Sequence, residues 1–264
     1  MALNRNQKSM IEKTIADCLF RKLSSYKPET KSMSYQDRLI GRDRMVLYSI
    51  FQFLNDAFDV SFFEPIAMEL TIASNMYVRV EKQHIVGDQI SEAAQREIKS
   101  IIDDLSINGE PDKMQEIERI RLVCRTGRIV FKESQEVDLY LEGINGEKFL
   151  FDLKTLKSDE SNFKDSKRSI LEWVAICLYN NPEEVISTYI AIPYNPYEPK
   201  PYEKWILRGM FDFEQELKVA HEFWDFIGGK GAYEDLLDCF ERVGLAMRGE
   251  IDEYFKRFYS NIDD

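Results

Sequence analysis

The spacing of apolar side chains changes near the middle of the chain, and this change limits the possible folds more than any other feature. Before it, helical spacing dominates. Ile11, Ile15, Cys18 and Leu19 recur at helical intervals, a second helical stretch starts near Asp37 and runs through Ile50, Phe51 and Leu54, and FFEPIAMELTIAS (62–74) reads as a helix with Pro65 in its first turn. Residues 91–105 are amphipathic and helical, Asn108-Gly109-Glu110-Pro111 breaks the chain, and 113–122 forms one more helix. From residue 129 the pattern becomes that of strands. Ile129-Val130-Phe131 and 136–141 are short and rich in β-branched and aromatic residues, Asn145-Gly146 marks a tight turn, and 148–153 returns. A helix over 166–180 follows, stopped by Asn181-Pro182, then a buried strand over 185–192. The stretch 194–202 carries three prolines and is neither helix nor inner strand. Helices over 211–227, 233–243 and 250–258 end the chain.

This order of elements predicts an α/β (α+β) domain in which a small mixed sheet is flanked by helices. Its expected parts are a helical stretch (1–110), a sheet core (111–205) and a helical C-terminal part (206–264). A chain of 264 residues can bury a core without disulfides or a structural metal. No apolar run approaches the ~20 residues of a membrane span, and the start MALNRNQKSMIEK lacks the apolar stretch of a signal peptide. The four cysteines lie far apart and there are only two histidines, which argues against a zinc ribbon, a disulfide scaffold or a multi-His metal site. A reduced, cytoplasmic protein without a membrane partner is the expectation. The net charge of −12 opposes non-specific binding to nucleic acid, but it hides a gradient. Residues 1–44 hold ten basic and five acidic side chains, and residues 201–264 hold eight and fifteen.

The chemistry-bearing constellation lies on the hairpin. Asp138 stands within the outgoing strand, and Asp152-Leu153-Lys154 ends the returning one. Residues two apart in a strand share a face, so Asp152 and Lys154 project together and the hairpin brings Asp138 beside them. Two carboxylates and a nearby carbonyl such as that of Leu153 suit Mg²⁺, and an ammonium beside the ion can orient a water. In outline this is a site for phosphodiester hydrolysis. The same residues also fit a solvated face or a cross-strand salt bridge.

Asp138 with Asp152-Leu153-Lys154 resembles the active-site signature of the PD-(D/E)xK nucleases, with Glu136-Val137 where a proline often precedes the first aspartate. Beyond the motif, the chain resembles the TdeIII group of type II restriction endonucleases through VDLYLEGINGEKFLFDLKT (137–155), KRSILEW (167–173), IAIPYNPYEPKPYEKW (190–205) and FWDFIGGKGAYEDLLDCFERVG (223–244). The resemblance implies a restriction-endonuclease-like fold and Mg²⁺-dependent cutting of both strands of duplex DNA at a short specific site, G/C-rich and of GGNCC type. It further implies a homodimer, 5′-phosphate products and a companion DNA methyltransferase. By motif, Asp138 and Asp152 would bind the metal and Lys154 would position the water. An upstream glutamate often joins such sites; Glu69 is the first choice here and Glu64 the alternate.

For DNA contacts, Lys164, Lys167 and Arg168 mark the expected start of a helix, where basic side chains and free amides suit phosphate. Arg125 and Arg128 flank Thr126-Gly127 at a turn and could reach guanine edges or phosphates. Asn195 lies in the tyrosine- and proline-rich loop, which could touch DNA or simply pack. Two other functions stay open at this stage: a nuclease of repair or recombination that reads DNA structure, and a non-catalytic DNA-binding module on a nuclease fold.

Overall fold

The computed structural model describes residues 3–25, 35, 38–39, 41–155, 160–202 and 209–260. Its centre is one five-stranded mixed sheet, β1 (Arg79–Ser91), β2 (Ile129–Glu142), β3 (Lys148–Leu153), β4 (Ile186–Ile192) and β5 (Leu217–Val219), in that spatial order. The first three strands pair antiparallel, and β3–β4 and β4–β5 are parallel. The helices among the described residues are α1 (Arg5–Ser25), α2 (Arg42–Ala57), α3 (Val60–Ser74), α4 (Glu92–Asn108), α5 (Lys113–Val123), α6 (Glu160–Asn180), α7 (Phe213–Glu216), α8 (His221–Gly228), α9 (Ala232–Ala246) and α10 (Arg248–Ser260). The expected mixed sheet flanked by helices is therefore present.

Strand alternation divides the core into two layers. Tyr140, Leu150, Ile190 and Ile192 pack on one face against Ile98, Ile101 and Ile102 of α4, Ile120 of α5 and Ile170 to Leu178 of α6. Leu139, Leu141, Phe151, Leu153 and Ala191 pack on the other face against Ile11 and Ile15 of α1, Phe62 and Ile66 of α3 and Phe223 and Trp224 of α8. Asp152 lies between Leu150, which joins the first layer, and Lys154, so its side chain belongs to the α6 face.

Local chemistry explains most of the element ends. Asp59 caps α3 by accepting from Phe62 N, Ser91 caps α4 from Ala94 N, and Asp112 caps α5 from Gln115 N. Gly109, at φ +60, closes α4. The β2–β3 connection turns at Asn145-Gly146, as the sequence predicts, with Gly146 at φ +87.

In five places the structure differs from the sequence reading. β1 lies within the stretch expected to be wholly helical. β2 is one continuous strand rather than two. α3 begins at Val60, so Pro65 falls in its second turn; the hydrogen bond it forfeits is to the carbonyl of Ser61, an exposed residue with access to water. α6 starts at Glu160, so residues 160–165 are helix rather than loop. The helix expected over 211–227 is split into α7, β5 and α8, because Leu217 and Val219 turn inward and pair with β4.

Candidate active site

β2 and β3 run in register from Glu142–Lys148 to Leu139–Phe151, and one step further along the ladder Asp138 and Asp152 come opposite each other. There Asp138 Oδ2 accepts the Leu153 N–H at 2.6 Å, which ties the first carboxylate to the end of the neighbouring strand. Lys154 Nζ lies 2.8 Å from Asp152 Oδ1, and Asp152 is only 8% exposed. The three residues picked from the sequence therefore do converge at the β2/β3 end.

Burial is the main cause that raises the pKa of Asp138, to about 6; the Asp152 charge adds to it, while the Leu153 N–H and Lys154 oppose it. Asp152 is also raised, first by burial, with Lys154, the Ser166 hydroxyl and the Asp138 carboxyl pulling it back. Glu64, buried on α3, contributes to raising Asp138. Its own carboxyl is pushed up by burial, and its Oε1 has no hydrogen-bond partner and lies 4.0 Å from Lys82 Nζ. Five residues along a helix is a rotation of about 140°, so Glu64 and Glu69 cannot both face this cluster. Of the two glutamates, the alternate, Glu64, is the one whose charge bears on Asp138.

Asp152 and Lys154 open onto a cleft of about 310 Å³ lined also by Gln135 and Glu136 of β2 and by Asp165, Ser166, Ser169 and Trp173 of α6. The sequence reading passed over Ser166, Ser169 and Trp173. Their signal was positional: offsets of three and seven residues place them on one stripe of the helix that follows the hairpin.

Mg²⁺ fits the donor set. Among the described residues no group of three or more His, Cys, Asp or Glu side chains could hold a metal ion alone. Mg²⁺ is usually held by one or two carboxylates, with waters and substrate phosphates filling the remaining positions. Two neighbouring carboxylates that burial holds above their ordinary pKa are the kind of pair a divalent cation relieves.

The expected DNA contacts divide. Lys167 is corrected outright: it is 0% exposed, with Nζ 2.7 Å from Glu216 Oε2 and 2.6 Å from Glu116 Oε2. A lysine enclosed by two carboxylates cannot reach a phosphate. The early start of α6 also removes the free amides expected near Lys164, since that residue is now in the second turn. Arg125 donates to the carbonyls of Tyr179 and Asn180, so its guanidinium closes the end of α6. Asn195 holds its own loop, donating to Lys200 O and accepting from Tyr197 N. Arg168 is exposed and pairs with Asp165 at 2.6 Å, Lys164 is half-buried, and Arg128 is exposed.

Fold and site together define a restriction-endonuclease-like α/β protein with an acidic pair and a lysine at adjacent strand ends. The chain belongs to the HinfI family of type II restriction endonucleases, whose family model matches residues 3–244. It is 27% identical over 166 residues to the type II restriction enzyme HgiBI of Herpetosiphon aurantiacus, a match covering 62% of this chain and 60% of that enzyme. HgiCII of the same organism is 24% identical over 185 residues, covering 68% of this chain and 67% of that enzyme. MjaII of Methanocaldococcus jannaschii is 26% identical over 213 residues, 75% of this chain and 55% of its own length. The chain thus spans about three fifths of HgiBI. The family match bears out the resemblance at the level of type II restriction endonuclease.

Proposed function

We propose that the protein is a type II restriction endonuclease of the PD-(D/E)xK kind, which hydrolyses both strands of duplex DNA at a short, specific, palindromic site. The observation that carries this reading is the convergence of Asp138, Asp152 and Lys154 at the open end of β2 and β3. Family membership and the relatives named as type II restriction enzymes support it.

Asp138 and Asp152, with the Leu153 carbonyl, would hold Mg²⁺, which when bound supplies Lewis-acid activation of a water and stabilises charge on the phosphoryl oxygens. The Leu153 N–H holds one oxygen of Asp138 in place, and the other would be the one offered to the ion. Lys154 is anchored on Asp152 and orients the attacking water in line with the leaving 3′-oxygen, which leaves a 5′-phosphate. Lys164, Arg168 and Arg128 remain as phosphate-contacting side chains. A homodimer is the simplest way to read a palindrome and cut both strands, and a cognate methyltransferase would protect the host's own sites in a cytoplasmic setting. A G/C-rich site of GGNCC type follows from the sequence resemblance.

Incubating the protein with unmethylated plasmid DNA and Mg²⁺ tests this reading. Sharp, reproducible fragments that EDTA abolishes are expected. A smear would keep the hydrolysis and remove sequence specificity, and binding without cutting would leave a DNA-binding module. Of the two glutamates, Glu64→Gln is expected to slow cleavage by about tenfold or more, since it lies in the electrostatic reach of the aspartates. Glu69→Gln is expected to stay within about threefold of the parent, because it lies on another side of α3. Initial rates on one plasmid substrate compare them.

A further inference from the structure

We propose that Ser166 is a positioning residue that sets the divalent-cation affinity of the site by fixing the Asp152 carboxylate; this rests on the metal-site reading above. A serine inside a helix commonly faces water or bonds back to the carbonyl one turn earlier. Ser166 is 6% exposed, lines the cleft with Asp152 and Lys154, and its hydroxyl bonds to the Asp152 carboxylate on β3. Asp152 is thus held from two sides, by Lys154 at 2.8 Å and by Ser166 from α6. A carboxylate fixed in this way presents its remaining lone pairs to a cation in one orientation, and losing such an outer partner typically costs 10–100-fold in metal affinity.

The position of Ser166 is itself fixed by the next residue. Lys167 is enclosed by Glu216 and Glu116, and Glu216 also binds Lys113 at 3.0 Å, which in turn reaches Thr188 of β4 at 2.5 Å. This buried cluster joins α5, α6, α7 and β4 at the level of the cleft, so the first half of α6 cannot slide along the sheet without breaking it. Its role here is to hold Ser166 against β3.

Terbium luminescence on the full chain tests the proposal without relying on cleavage. Tb³⁺ is a probe for divalent-cation sites, and Trp173 in the cleft wall sensitises it. Ser166→Ala is expected to weaken Tb³⁺ binding, and its displacement by Mg²⁺, about 10–100-fold. Ser166→Thr keeps the hydroxyl and is expected to restore most of the affinity, with both variants melting like the parent in EDTA. Unchanged Tb³⁺ affinity in Ser166→Ala, alongside loss of binding in Asp152→Asn, would overturn the positioning role and leave the metal site standing. Equal loss in the alanine and threonine variants would also overturn it, by pointing to packing. Binding that survives Asp152→Asn would remove the metal site and this inference together.

Discussion

Replacing Asp138 by Asn is expected to abolish cleavage and at the same time make the protein more stable at neutral pH. The activity loss is expected to be roughly a thousandfold or more, because several kcal/mol of transition-state charge stabilisation would depend on the cation that this carboxylate is proposed to hold. The stability gain follows from the sign of the pKa shift. The Asp138 pKa is about 6 in the folded protein against 3.8 for the free side chain, chiefly through burial and then the Asp152 charge. Well below pH 3.8 both states are protonated and the site costs nothing. As the pH rises from about 4 to about 6, the unfolded chain releases its proton more readily than the native state, so stability falls and stays reduced above pH 6. By linkage that penalty is on the order of 3 kcal/mol. Asn carries no charge and still offers an oxygen to the Leu153 N–H, so the fold keeps its contact and sheds the penalty. Thermal melts in EDTA at pH 8 are expected to place the variant a few degrees above the parent, and the gap to narrow toward pH 5. Added Mg²⁺ should raise the parent's melting temperature and leave the variant's unchanged. A variant that melts below the parent at pH 8 would contradict the assignment of Asp138 as a carboxylate destabilised by desolvation.

Lys167→Met is expected to be the most destabilising change in the first half of α6. Lys113, Glu116, Lys167 and Glu216 are each at most 3% exposed. Burial depresses the Lys113 pKa and raises that of Glu116; burial also raises Glu216, but Lys113 and Lys167 together pull it below its ordinary value. Removing Lys167 would leave two buried carboxylates facing one lysine. Breaking a buried pair by deleting one partner typically costs 3–5 kcal/mol, a large share of the ~5–15 kcal/mol that holds a domain together. Urea unfolding should show that loss. The double change Lys167→Met with Glu116→Leu should recover much of it, because the uncompensated charge is then gone. Arg168→Ala, one residue on, breaks only an exposed pair with Asp165 and is expected to change stability by less than about 1 kcal/mol.

The hairpin, the Asn-Gly turn and the Asp-x-Lys end were legible because each is local: alternation, a turn dipeptide and two-residue spacing are properties of a few consecutive residues. β1 was not. It is an edge strand whose burial alternates poorly, with Gln83 at φ +50 and register shifts around Gly87, where a Cβ would come within 2.9 Å of Ile176 Cγ2. No clean period survives that irregularity. β5 has only three residues and is a strand only because β4 lies beside it. Lys167 shows a different limit. A lysine between Ser166 and Arg168 at a helix start reads as surface, and its burial depends on Glu116 and Glu216, which are distant in sequence and arrive with α5 and α7. The choice between Glu64 and Glu69 likewise depended on which side of α3 faces the sheet end, a matter of tertiary packing.

If the β2/β3 end hydrolyses DNA, Lys154→Ala should stop cleavage while leaving the folded protein able to bind its site. Lys154 is partly exposed, and its removal breaks its ion pair with Asp152, which Ser166 continues to hold. Single-turnover cleavage of a duplex carrying the mapped site should fall by ~10²–10⁴-fold. Binding of that duplex in Ca²⁺ and the melting temperature in EDTA should stay close to those of the parent. A Lys154→Ala protein that cuts the same site within about tenfold of the parent rate would contradict the account, since no other group here is assigned to position the water.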